Sequence, residues 1–238
     1  MANYRLLIPH MIKWEGGLSA DPTDTASSYP SQYLMPYNPY KGKPVHTNKG
    51  ITFKTWVSTS KELGHPSTTD AFIKMTDAQW GLVMKKFYWD FVKGDSINSQ
   101  IIAELLTEIM WGSGNGGLKP NVIVMQNFLK KKGYDPQGID GVIGTNTINA
   151  LNRYLSKTGK AGEKELYDAI WNNRVAQLKT YGTFYKHGQG WLNRMNDLYQ
   201  SALTKVTEII SENPIKSGLF SVFLVVGGLF LLGKKYSR

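Results

Sequence analysis

Apolar residues recur at helical spacing along most of this chain, and that pattern constrains its fold more than any other feature. One stripe follows a capping box at Thr76, and a second ends at Gly112, with Ser96 placed to cap it. Further helical patterns cover about residues 117–131, 145–156, 162–180 and 191–210. We therefore predict a mainly α-helical fold. The two stripes consist of Trp80, Val83, Met84, Phe87, Tyr88 and Phe91, and of Ile97, Ile101, Leu105 and Ile109.

The composition is that of a folded protein without thiol chemistry. Of the 238 residues, 41% are hydrophobic and 12% aromatic, and the length allows one large or two small domains. The absence of Cys excludes disulfides, thiol nucleophiles and thiolate metal sites. The 4 His residues show no ligand spacing, so neither a metal nor another cofactor is predicted.

The formal net charge of +10 predicts attraction to a polyanion. Nucleic acid, an anionic cell wall and a membrane surface all have that character. The basic residues are dispersed along the chain, and no nucleic-acid-binding motif accompanies them. Nucleic acid is therefore not predicted as a partner.

The end of the chain carries an uncharged apolar run, residues 217–233. As a helix it would be roughly 25 Å long, which is within the range of membrane-spanning helices. Lys216 precedes it, and the basic tail 234–238 follows it, so we predict a single C-terminal transmembrane helix with the tail on the cytoplasmic side. A buried core helix is the alternative. No signal-peptide pattern is found in the first residues.

Glu15 ends the first apolar stripe of the chain, directly before Gly16 and Gly17. It falls on the same helical face as the apolar residues, and burial at the negative end of a helix favours the protonated form of a carboxyl group. Cleavage of a glycosidic bond needs such a proton donor for the leaving oxygen. Pro9 must either start this helix or kink it. From these residues alone, an exposed Glu at a frayed helix end is the alternative.

Several motifs appear together and in order. Trp14–Gly17, Asp21–Asp24 and Thr47–Thr52 resemble the glycoside hydrolase family 108 muramidases, whose pattern is an EGG motif, a D-P-x-D turn and a T-x-x-G-I-T segment. Tyr88–Asp90 and Ile101–Leu106 are similar to the helices that follow in that family. Residues 133–147, with their D-G-x-x-G-x-x-T turn, resemble the peptidoglycan-binding domain that is usually fused to it.

The resemblance covers roughly residues 4–200 and implies a domain organisation. A lysozyme-like helical catalytic domain would span residues 1–115, packed with a small helical peptidoglycan-binding-like module over 116–202. A connector over 203–216 then leads to the transmembrane helix. The resemblance also implies that Glu15 is the catalytic acid and that the partner is the glycan strand of peptidoglycan, cleaved between N-acetylmuramic acid and N-acetylglucosamine.

The second catalytic group is left between two candidates, Asp24 and then Asp21. An inverting enzyme needs a base that activates water, whereas a retaining enzyme needs a closer nucleophile. Here the chain departs from the family, because an insertion rich in Tyr and Pro, residues 26–45, separates Asp24 from Thr47. The insertion could be a substrate lid with stacking aromatic rings. It could equally displace the turn and leave Glu15 as the only acid.

The candidate substrate-binding residues come from three segments. Thr47 and Gly50 belong to the T-x-x-G-I-T segment. Trp89 lies off the apolar stripe and could stack against a sugar face, whereas its neighbour Tyr88 lies on the stripe, which favours a core position. The candidate from the third segment is Glu108, which follows the Ile101–Leu106 run.

Two charged residues of the helical segments have competing interpretations. Glu108 shares a helix face with Glu104, and the simplest interpretation of that pair is a solvated helix edge with nearby Lys partners. Arg174 is a candidate partner for a carboxylate.

Three functions are compatible with these features. The first is a membrane-held muramidase, such as a phage enzyme for lysis or for penetrating the cell. The second is a lytic transglycosylase that uses Glu15 alone. The third is a non-catalytic wall-binding membrane protein. The sequence leaves the oligomeric state open.

Overall fold

The computed structural model describes residues 1–22, 25–28 and 45–212, and this part of the chain is mainly helical, as predicted. Three short strands, β1 (Leu18–Ser19), β2 (Thr47–Asn48) and β3 (Ile51–Thr52), form one antiparallel sheet in the order β1-β2-β3. The helices are α1 (Ile8–Trp14), α2 (Phe53–Leu63), α3 (Thr69–Ile73), α4 (Asp77–Met84), α5 (Gln100–Lys131), α6 (Thr145–Lys179) and α7 (Phe184–Glu212).

Glycines bend the two longest helices. Gly114 in α5 has φ 59°, and Gly159 in α6 has φ 61°. Only glycine adopts such backbone angles at little cost, so each long helix is divided into two helical halves. These halves correspond to the separate helical patterns in the sequence. The domain boundary at residues 115/116 stays a prediction, and it falls beside the bend at Gly114.

The helix starts show which capping predictions hold. Thr76 begins α4 with the predicted capping box, in which its side chain accepts from the backbone of Gln79. The prediction that Ser96 caps the next helix is wrong, because Ser96 belongs to a 3-10 turn. Ser99 caps α5 instead, its Oγ accepting from the backbone N–H of Ile102 at 3.1 Å.

The first helix begins where Pro9 allows it to begin. A 3-10 turn over Tyr4–Leu6 precedes α1, and Pro9 lies in the first turn of α1, where its missing N–H is not needed. Pro9 therefore starts the helix and does not kink it. Glu15 follows as the C-terminal cap, with extended backbone angles of φ −86° and ψ 138°.

The stripe that begins at Trp80 does not continue as one α-helix. After α4 the backbone forms a π-helix over Lys85–Trp89, and the wider turn rotates the side chains that follow. As a result Phe91 is 48% exposed, Tyr88 is partly exposed and Trp89 is fully buried. The core position that the stripe favours for Tyr88 is therefore not observed.

Residues Met1–Leu198 form one compact unit, and residues from Tyr199 onward belong to a second one. Within the first unit α5 packs against α6, and large side chains of several helices are buried in its core, including Leu7, Met11, Trp56, Trp80, Ile102 and Tyr154. Of the second unit, the structure describes the last part of α7.

No helix within the described residues is both long and apolar enough to cross a membrane. The apolar run 217–233, predicted as a transmembrane helix, lies outside the described residues.

Candidate active site

The carboxyl group of Glu15 is shielded, as the sequence predicts. Its side chain is 11% exposed, at the point where the chain leaves α1. The indole Nε1 of Trp111 in α5 donates to Oε1 of Glu15 at 2.7 Å, and Nη1 of Arg194 in α7 donates to the same oxygen at 2.5 Å. The interpretation as an exposed Glu at a frayed helix end is therefore wrong.

Gly50 covers the other oxygen of this carboxyl group. It is the second residue of the two-residue turn between β2 and β3, in which Lys49 has φ 46° and Gly50 has φ 73°. Positive φ at both positions is typical of tight hairpins. A methyl group on Gly50 would lie 2.4 Å from Oε2 of Glu15 and 2.8 Å from Cζ2 of Trp111. The structure thus brings together two residues that the sequence assigned to the site.

Two hydrogen bonds fix the hairpin over Glu15. The Nε1 of Trp80 donates to the carbonyl oxygen of Lys49 at 2.8 Å, and the backbone N–H of Lys49 donates to the carbonyl of Gly17 at 3.1 Å. Thr47, the third of the predicted residues in this region, is 8% exposed, and its Oγ1 lies 2.8 Å from Nδ1 of His46. Thr47 therefore supports the hairpin from within.

Arg194 connects Glu15 to a second buried carboxylate, Glu108. Its Nη2 lies 3.0 Å from Oε2 of Glu108, and its Nε donates to Oε1. The three side chains are between 4% and 15% exposed. Burial by itself lowers the pKa of Arg194, but the carboxylates of Glu108 and Glu15 reverse this effect and raise the pKa above its ordinary value. Arg194 is therefore a fixed positive charge in the site.

The interpretation of Glu104 and Glu108 as a solvated helix edge is wrong. Glu104 is 1% exposed and accepts from Nε2 of Gln100 at 2.8 Å, and Glu108 is 4% exposed. The partner of Glu108 is Arg194 and not a Lys. The pattern does not reveal this, because the partner comes from a helix 86 residues further along the chain.

The π-helix places Tyr88 next to the site and Trp89 away from it. The ring of Tyr88 lies 4.5 Å from that of Trp111, and burial, followed by the negative charge of Glu15, raises the pKa of Tyr88. Trp89 is fully buried, its Nε1 donates to Asp95 at 2.8 Å, and Gly94 packs on its ring. Trp89 thus presents no free ring face to a sugar.

The two candidates for the second catalytic group are on the segment after β1. Asp21 is exposed, and its carbonyl oxygen lies 3.0 Å from Nε2 of His46. Asp24 and most of the insertion 26–45, with its tyrosines, lie outside the described residues.

A second polar cluster joins α1 to α7 behind Glu15. Asp197 accepts from Nε1 of Trp14 at 2.9 Å and from Nζ of Lys13 at 2.6 Å, and it lies 3.1 Å from Nδ1 of His10. His10 also lies 3.8 Å from Glu108. Burial lowers the pKa of His10 and outweighs the nearby carboxylates. Among the described residues, no group of three or more His, Asp or Glu could hold a metal ion.

Sequence reasoning missed Trp111 and Arg194, which are the two hydrogen-bond donors to Glu15. Arg194 interrupts the apolar stripe of α7 between Trp191 and Met195, so a charge on a buried face was the available signal. Trp111 follows Glu108 by three residues on α5 and therefore shares its face.

The helical scaffold shields one carboxyl group beneath the β-hairpin, and a shielded carboxyl group can serve as the proton donor of a glycoside hydrolase. The comparisons agree with this class. The family model described as glycosyl hydrolase 108 matches residues 8–114, which include α1, the hairpin and the first half of α5. This match supports the resemblance that the motifs indicate and supports a glycoside hydrolase.

One solved structure, that of SagA from Brucella abortus, is similar to this chain over most of its length. The identity is 25%, the TM-score is 0.53, and the match covers 84% of this chain and 94% of that chain. None of the curated proteins matches this chain.

Proposed function

We propose that this protein hydrolyses peptidoglycan at the β-1,4 bond between N-acetylmuramic acid and N-acetylglucosamine, with Glu15 as the general acid. The observation that carries the proposal is the close approach of Gly50 to Glu15. A methyl group added to Gly50 would lie 2.4 Å from Oε2 of Glu15. Two motifs separated in sequence meet at one carboxyl group, so that group is the centre of the site. The family match over residues 8–114 supplies the reaction class.

Arg194 sets a condition on this mechanism. A general acid must carry a proton when the glycosidic oxygen arrives, and Nη1 of Arg194 donates to Oε1 of Glu15 at 2.5 Å in the place where that proton would lie. We infer that a bound glycan strand displaces Nη1 from Glu15, while the bonds to Glu108 keep Arg194 in place. Glu15 takes a proton from the solvent as Nη1 leaves, and it donates this proton to the leaving oxygen. A water molecule supplies the hydroxyl group at the sugar carbon, and its other proton returns to the solvent.

The test is muramidase activity of the full chain with Glu15→Gln, measured as clearing of cell walls and by mass spectrometry of the released muropeptides. Glu15→Gln should abolish cleavage, while the control Glu62→Gln, at an exposed side chain, should retain it. Reducing-end N-acetylmuramic acid indicates hydrolysis, and a 1,6-anhydro end indicates a lytic transglycosylase. Equal clearing by wild type and Glu15→Gln would refute Glu15 as the general acid, and clearing by neither would leave the non-catalytic wall-binding function.

Asp24 and Asp21 remain the proposed candidates for the group that activates water or stabilises the intermediate. Their proximity to Glu15 in the sequence supports them. The variants Asp24→Asn and Asp21→Asn distinguish the two candidates, since only substitution of the true partner should reduce kcat by several orders of magnitude. If both variants keep full activity, Glu15 acts without either of them.

We also propose that the run 217–233 holds the enzyme at a membrane, and that the protein is a phage enzyme for lysis or for penetrating the cell. Its support is the uncharged apolar sequence between Lys216 and Lys234. Fractionation of cells that express the full chain, compared with a chain ending at residue 212, tests it. Both forms in the soluble fraction would contradict the anchor.

A further inference from the structure

A cavity of about 190 Å³ lies beside the proposed acid, between α5, α6 and α7. Two of its wall residues, Trp111 and Arg194, are the hydrogen-bond donors to Glu15. Its walls are aromatic and basic, formed by Trp111, Trp191, Tyr181, Arg174 and Arg194 together with Glu108. The cavity is therefore an extension of the site that the proposed reaction does not use.

Arg174 is the unusual member of this wall. It is 3% exposed, and its guanidinium donates to Oγ of Ser113 at 2.7 Å, to Oε1 of Gln177 at 2.8 Å and to the hydroxyl of Tyr181 at 3.2 Å. All three partners are uncharged. Its Nε is buried and has no hydrogen-bond partner within the described residues. Burial lowers the pKa of this guanidinium.

The charge of Glu108 acts on Arg174 from a distance, without a direct bond between them. Arg194 is matched by two carboxylates, Glu15 and Glu108, and it occupies both oxygens of Glu108. Among the described residues, no carboxylate lies within ion-pairing distance of Arg174. A buried guanidinium whose direct partners are all uncharged can still gain an ion pair with a carboxylate that enters the cavity.

We propose that this cavity is a carboxylate-binding subsite, in which Arg174 receives an acidic group of the wall substrate next to the bond that is cleaved. The planar guanidinium suits a carboxylate better than a point charge would, and the cavity has room for a carboxylate with a few attached carbon atoms. The subsite rests on the proposed function, because muramic acid carries a lactyl carboxyl group. That group is either free or joined to a peptide that has carboxylates of its own.

The test uses ligands without a glycosidic bond, so that it does not depend on cleavage. Binding to the full wild-type chain is measured by calorimetry for N-acetylmuramic acid, its methyl ester and N-acetylmuramyl-L-alanyl-D-glutamate, in which the lactyl carboxyl is an amide. We expect at least one of the two acids to bind ten times more tightly than the ester. Preference for the first identifies the lactyl carboxylate, and preference for the second identifies the peptide carboxylates.

Arg174→Gln should remove this preference, whereas Arg153→Gln, at an exposed position of the same helix, should preserve it. Thermal unfolding shows whether both variants fold. If Arg174→Gln does not fold, the binding of the ester and the two acids to the wild-type chain still tests the subsite. Equal binding of the ester and both acids overturns the subsite, as does a preference that survives Arg174→Gln. A chain that shows the preference but cleaves no peptidoglycan would keep the subsite and refute the proposed function.

Discussion

Arg194 pairs with Glu15 across 179 residues of sequence, with Nη1 of the arginine 2.5 Å from Oε1 of the glutamate. The same guanidinium binds both oxygens of Glu108. The proposed acid therefore depends on α7, which lies outside the 8–114 segment that matches the family model. The contacts of the proposed acid consequently extend beyond the predicted domain 1–115.

The first prediction concerns stability. Arg194→Gln leaves Glu108, at 4% exposure, as a buried carboxylate without a cation. Breaking a buried ion pair by removing one partner typically costs about 3–5 kcal/mol, and we expect a loss of that size in the free energy of unfolding. Urea denaturation of the full chain measures it.

Lys13→Gln is the control for this measurement. It breaks the ion pair with Asp197, but Lys13 is 58% exposed, and exposed pairs contribute about 1 kcal/mol or less. If both variants lose the same small free energy of unfolding, Arg194 does not stabilise the site.

The second prediction uses two glycines with the same backbone conformation. Gly50 has φ 73° and Gly64 has φ 71°, so an alanine at either position should cost about 1 kcal/mol of strain. Only at Gly50 does the added methyl group meet Glu15 and Trp111, since nothing lies within 4 Å of it at Gly64. We expect Gly50→Ala to lose at least nine-tenths of the muramidase activity and Gly64→Ala to keep it. Equal activities would show that the hairpin need not fit closely over Glu15.

Much of the helical scaffold could be predicted from the sequence, because apolar spacing and Thr76 are local signals. Even the bends at Gly114 and Gly159 fall in gaps between the predicted helices. The position of Tyr88 could not be predicted in this way. A single wider turn over Lys85–Trp89 shifts the register of the stripe, and the apolar pattern does not indicate that turn.

The candidate site was predictable only in part for a related reason. Glu15 and Gly50 belong to ordered motifs, so a resemblance could assign them together. Trp111 and Arg194 act on Glu15 from 96 and 179 residues away, and such pairings are set by how the helices pack. Local periodicity contains no information on that packing.

The third prediction concerns the indole of Trp111. Trp111→Phe keeps the aromatic ring but removes the donor that lies 2.7 Å from Oε1 of Glu15. The indole N–H stabilises the carboxylate that forms as Glu15 gives up its proton, and a hydrogen bond to a charged group contributes about 1.5–3 kcal/mol. We therefore expect kcat to fall at least tenfold with KM little changed. Trp56→Phe, whose lost bond goes to the carbonyl of Pro66, is the control and should leave kcat unchanged. A fall in both variants would point to a general loss of stability.

The last prediction concerns the pH dependence of stability. Burial places the pKa of His10 below the ordinary value of 6.5, so the unfolded chain takes up a proton at a higher pH than the folded chain does. The contribution of His10 to stability is therefore complete above pH 6.5 and decreases as the pH falls toward the folded-state pKa, by about 1.4 kcal/mol for each unit of pKa difference.

His10→Asn removes this titration, and the free energy of unfolding should then fall less steeply between about pH 7.5 and about pH 5.5, one unit either side of the ordinary histidine pKa. The same substitution at His187, whose side chain is exposed, is the matched control and should leave the slope unchanged. Denaturant titrations at several pH values measure both slopes. A His10→Asn slope identical to that of the wild type would mean that His10 is as easily protonated in the folded chain as in water. The junction of α1 and α7 would then be more hydrated than the contacts with Glu108 and Asp197 indicate.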